Sequence, residues 1–117
     1  MATDLVGNVK LQRFISLLAE LNHLSAEAIQ TGKLELFPKI NKVVKEMHDI
    51  QQNGEEEAYT AIEEDAQAIY KNFDAAAQML KSNESGRMDQ ATNQAVKIFL
   101  KNIFAATVSI VHAYGLA

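Results

Sequence analysis

The sequence predicts an all-α protein, an antiparallel four-helix bundle with a shorter second helix and an unusually apolar fourth, and three observations lead there. Apolar residues recur at alternating spacings of three and four along four successive segments, the period of an amphipathic helix. Alanine, leucine, glutamate, lysine and glutamine recur throughout, against one proline and five glycines. No stretch shows the alternation of a strand, and no unit repeats. With 117 residues, 48% of them apolar, the chain has material for one core and is read as a single domain over 1–117.

The first helix is expected after Thr3 as N-cap, running to about Gln30 with Gly32 as its left-handed stop. Leu11, Phe14, Leu18, Leu21, Ser25 and Ala28 form its inward stripe, and Arg13, Ser16, Glu20, His23, Glu27 and Gln30 its solvated one. Pro38 belongs to the first turn of the second helix and biases Phe37 away from helical geometry. Leu36, Ile40, Val43, Met47 and Ile50 then face inward to about Gln52, and Lys39, Lys42, Glu46 and Asp49 face out.

Asn53 reads as the N-cap of a third helix, with Glu55, Glu56 and Glu57 suited to the positive end of its dipole. Its core stripe is Tyr59, Ile62, Ala66, Ile69, Phe73, Ala76 and Leu80, unbroken to about Lys81. Polar residues from Ser82 to Arg87 mark a turn before a fourth helix over roughly 86–114. There Met88, Ala95, Phe99, Ile103, Ala106 and Ile110 are expected to face the core.

In that last helix the polar stripe of Gln90, Asn93, Gln94, Lys97 and Lys101 stops. Its continuation is Phe104, Val108 and Val111, and no charged residue follows Lys101. The charge-free segment, 102–117, is sixteen residues long, short of the roughly 20 that cross a bilayer. No transmembrane segment is therefore expected, nor peripheral membrane contact. A bundle helix normally keeps one face in water, so Phe104, Val108 and Val111 are the expected interface with a second copy, as a homodimer, or with another protein; the alternative is a monomer in which the N-terminal segment or an irregular helix arrangement covers this face.

Composition restricts the rest. Without cysteine there is neither a disulfide framework nor a thiolate metal site, and a cytoplasmic setting is expected. The net charge of −4, with −6 over residues 1–65 and +2 over 66–117, does not suit a nucleic-acid backbone binder.

Glu20 and His23 match the Glu-x-x-His spacing of di-iron bundles, but there is no second copy and both lie on the polar stripe. His48 lacks the lysine and glycine that follow a phosphotransfer histidine and reads as a surface residue. His112, among apolar neighbours, reads as a hydrogen-bonded structural or interface residue whose charged form desolvation would disfavour. Lys39, Lys42 and Lys45 are followed by Glu46 and Asp49, so charge balance between helices accounts for them better than an anionic ligand.

Phosphate-cradling glycine loops and nucleophile elbows are missing from the sequence. The expectation is a non-enzymatic interaction module of adaptor, chaperone-like or inhibitor type, with no catalytic residues, metal or cofactor. Two alternatives stand beside it. One is an all-α metal-dependent enzyme using the carboxylates Glu55–Glu57 and Glu63–Asp65; the other is a small-molecule carrier with a cavity in the bundle core.

Overall fold

The computed structural model describes residues 9–32, 34–54, 56–82 and 90–115. Helix accounts for 94% of them, and no strand occurs among the described residues. The helices are α1 (Val9–Thr31), α2 (Phe37–Asn53, preceded by a 3-10 turn Leu34–Leu36), α3 (Glu56–Thr60), α4 (Glu63–Ser82) and α5 (Gln90–Ala113). The expected cap Thr3, the acid Glu55 and the core residue Met88 lie outside the described residues.

α1 follows its sequence pattern closely. Leu11, Phe14, Leu18, Leu21, Ser25 and Ala28 are all buried, joined by Leu17 and Leu24, which widen the stripe. Gly32 stops the helix at φ +67°, with its amide donating to the Ala28 carbonyl at 2.9 Å. Burying a leucine or phenylalanine fully is worth about 1.5–3 kcal/mol, so this stripe anchors the core. Against it lie α2, with Ile40, Val43, Val44 and Met47 buried, and α5; Ile62, Ala66, Ile69 and Phe73 belong to the same buried cluster.

α2 departs from expectation at both ends. Phe37 is its first residue rather than a residue held out of the helix, because the 3-10 turn before it already brings the chain into helical geometry and Pro38 loses no bond at a first-turn position. The Phe37 ring stacks on Phe73 of α4, with centroids 5.0 Å apart and planes 9° from parallel.

Asn53 is the last residue of α2 and not the cap of the next helix. Its side-chain amide donates back to the Asp49 carbonyl at 2.8 Å, and Lys10 of α1 donates to its own carbonyl at 2.8 Å. The Lys10 bond occupies a carbonyl that the helix end leaves open.

The continuous third helix expected from Asn53 to Lys81 is two helices. At Ala61 and Ile62 the ladder slips to a tighter bond, Ile62 amide to Tyr59 carbonyl at 3.1 Å, and resumes from Ala66 amide to Ile62 carbonyl at 2.8 Å. The break gives Glu63, Glu64 and Asp65 a helix start of their own. Inside one helix three adjacent carboxylates would only repel, whereas in a first turn the dipole favours them. The expected core stripe survives the break: Tyr59, Ile62, Ala66, Ile69, Phe73 and Ala76 are buried, and Leu80 is half-buried.

α5 packs on both α4 and α1, α1 packs on α2, and α2 reaches α4. The whole is compact, 48 × 25 × 20 Å. The buried row of α5 is Val96, Leu100, Ile103, Ala106, Thr107 and Ile110. Ala95 and Phe99, expected inside, are half-buried, because the true row runs one residue later in this half of the helix.

Candidate functional site: the α5 surface and the tyrosine pocket

Among the described residues α5 packs chiefly on two helices, and it is apolar over more of its circumference than those two cover. Phe104, Val108 and Val111 are each half-buried, and Val111 packs against the core. They lie on one flank of the helix rather than at the centre of its solvent side. That centre is taken by Ala105 and His112, both exposed, with Ile98, 56% exposed, two turns before Ala105.

Ser109 and Asn102 tie the opposite flank to α4. The Ser109 hydroxyl donates to Asp65 Oδ2 at 2.8 Å, and the Asn102 amide donates to Asn72 Oδ1 at 3.0 Å. Thr107, fully buried, accepts from the Asn22 side-chain amide of α1 at 2.7 Å and donates to the Phe104 carbonyl at 2.6 Å. These bonds fix how α5 is rotated between its neighbours, and thereby which residues are left on its outer flank.

His112 is exposed, not desolvated among apolar groups, because it points away from both packed helices. By length and composition α5 is the one described helix able to cross a membrane, a test that core helices also pass. The charge-free segment begins only after Lys101, whereas the helix extends back to Gln90 through two lysines.

The second feature is a pocket of about 350 Å³ at the junction of α2, α3 and α4. The end of α2 contributes His48, Gln51, Gln52 and Gly54; α3 contributes Glu56, Tyr59 and Thr60; α4 contributes Glu63, Gln67 and Tyr70. The break between α3 and α4 is what opens it, since it lets two helix starts meet the end of α2.

Its aromatic wall is held from several directions. Tyr70 donates to Gln51 Oε1 at 2.6 Å and meets the His48 ring edge to face at 4.8 Å; His48 Nε2 and Gln52 Nε2 share a hydrogen bond of 3.3 Å. Tyr59 meets Phe14 edge to face at 5.2 Å. Gly54 is required here, because a Cβ at that position would lie 2.6 Å from the Tyr59 ring and 2.9 Å from the Ile50 carbonyl.

Tyr114 of the turn after α5 completes the group by donating to the Ala58 carbonyl at 3.1 Å. Burial, and then the neighbouring tyrosine hydroxyls, push the phenols of Tyr70 and Tyr114 well above their ordinary range. This cluster has no local signature in the sequence. Its members are spread from residue 48 to residue 114, and each reads on its own stretch as a stripe or surface residue.

The other sequence candidates stay apart. Glu20 and His23 are exposed on α1, as their stripe implies. No group of three or more histidine, aspartate or glutamate side chains able to hold a metal occurs among the described residues. Lys39 and Lys42 border a groove shared with Glu20, Arg13 and Glu46, where Arg13 grips both oxygens of Glu46 at 3.0 and 3.1 Å. Charges of both signs alternate along that groove.

The described residues thus form a compact, nearly all-helical fold with an apolar flank on α5 and a polar, aromatic pocket between α2, α3 and α4. Compared with known proteins, it matches no family model, no curated relative and no solved structure.

Proposed function

We propose that this protein is a non-enzymatic interaction module, an antiparallel four-helix bundle that forms a homodimer through the flank of α5 carrying Phe104, Val108 and Val111. The observation that carries the reading is the apolar surplus of α5: beside the two helices it packs on, Phe104, Val108 and Val111 keep part of their surface exposed along one flank, and Ile98 is exposed on the solvent side. A second copy would remove that surface from water at about 25 cal/mol per Å². The antiparallel arrangement is supported by paired bonds that run in opposite order along two helices. Asn102 meets Asn72 and Ser109 meets Asp65, while Lys10 meets Asn53 and Arg13 meets Glu46.

Assembly in the cytoplasm fits the cysteine-free composition. Light scattering on the size-exclusion eluate, across the micromolar range, tests the proposal. A dimer that Phe104→Glu and Val108→Glu each convert to a monomer of unchanged helical content is the expected result. A wild-type chain that stays monomeric throughout overturns it, as does retention of α5 on lipid vesicles with no protein dimer in solution.

A further inference from the structure

We infer that the pocket between α2, α3 and α4 binds a small alkylammonium ion through its N–H groups. Its lining includes two carboxylates, Glu56 and Glu63, and two tyrosine rings, Tyr59 and Tyr70, and neither lysine nor arginine is among the lining residues. Two carboxylates without a lysine or arginine beside them, and tyrosine rings in the wall, suit a cation.

An inorganic cation fits less well than an organic one. Glu56 and Glu63 belong to different helices, and no third carboxylate or imidazole joins them as a metal-holding group among the described residues. A dehydrated metal ion needs about six oxygen ligands. An alkylammonium needs only a few acceptors for its N–H groups and an apolar wall for its carbons. The side-chain carbonyls of Gln52 and Gln67 and the two carboxylates are acceptors, and the tyrosine rings are the wall.

The wall is fixed in advance of any ligand. Tyr70 is tied to Gln51 and set against His48, and Gly54 leaves room for the Tyr59 ring that any larger residue would displace. A pre-ordered wall spares a ligand the cost of ordering it.

The full chain offers its own reporter. It contains no tryptophan and three tyrosines, two of which line the pocket, so its intrinsic emission comes largely from this site. The test is a titration with n-butylammonium, followed by tyrosine emission and by amide NMR shifts, with tetramethylammonium and sodium chloride at matched ionic strength as controls.

A saturable change confined to amides around Gln52, Gly54, Thr60 and Gln67 is expected, absent with sodium chloride and weaker with tetramethylammonium, which has no N–H. Glu56→Gln and Glu63→Gln, both at exposed positions, should each weaken binding about twofold to fivefold. A response that sodium chloride reproduces, an affinity indifferent to both glutamate variants, or tetramethylammonium binding as tightly as n-butylammonium would each overturn the assignment. It is independent of the dimer proposed above, since neither glutamate lies on α5.

Discussion

Asn22 of α1 donates a 2.7 Å hydrogen bond to the hydroxyl of Thr107, a residue of α5 with no exposed surface. The bond joins two helices at a point where a one-residue turn of α5 would bring a different set of side chains to its outer flank. Thr107→Val keeps the shape but leaves the Asn22 amide without that acceptor. An unfolding free energy lowered by about 1–3 kcal/mol is expected in urea titration. Pairing it with Asn22→Leu should recover part of the loss, because both polar partners then leave together.

Adjacent residues on α5 should separate stability from assembly. Ile103 is fully buried and Phe104 half-buried. Ile103→Ala should cost about 2–5 kcal/mol of stability. Phe104→Ser should cost less and act chiefly on the dimer, as thermal unfolding and light scattering on the same samples would reveal.

Gly54 should tolerate no side chain without adjustment. Its backbone is in an extended conformation that any residue adopts, so the objection is space alone. Gly54→Ala places a methyl group against the Tyr59 ring and the Ile50 carbonyl, and overpacking of that kind costs about 1–3 kcal/mol. Tyrosine circular dichroism in the near ultraviolet should change with it, while far-ultraviolet signal stays.

Alkaline pH should unfold the protein by way of its phenols. Tyr70 and Tyr114 have folded pKa values raised above the unfolded 10.0, chiefly by burial. The unfolded chain therefore releases these protons first. The stability is intact below pH 10 and falls as pH rises above it, since only the unfolded state gains from ionisation there. Absorbance at the phenolate band should rise for these two tyrosines together with loss of helix, not before it.

The Arg13–Glu46 pair should matter little. Both side chains are substantially exposed, 52% and 42%, so a double-mutant cycle is expected to give about 0.2–1 kcal/mol, falling with added salt.

How legible all this was in the sequence depended on contrast between neighbouring positions. In α1 every apolar step is answered by a polar one, and all six expected inward residues are buried. In α5 most positions are apolar, so Ala95 and Phe99 fit a stripe as well as Val96 and Leu100 do, and the period loses its phase. The break at Ala61 and Ile62 had no glycine or proline to announce it; Glu63 and Asp65 flank the core stripe, a pattern that one continuous helix leaves unexplained and the break accounts for. The flank of Phe104, Val108 and Val111 was visible as a missing polar stripe. The pocket was not, because it exists only where three helix ends meet.

The same break divides the molecule's cooperativity. α3 is five residues long, below the length at which a helix sustains itself, and it is held by burial of Ala58 and Tyr59 and by the Tyr114 hydroxyl on the Ala58 carbonyl. Such a segment can open while α4 stays formed, and its amides should exchange with deuterium ahead of the rest. One wall of the pocket thus rests on a single helical turn, joined to the turn after α5 by the Tyr114 phenol.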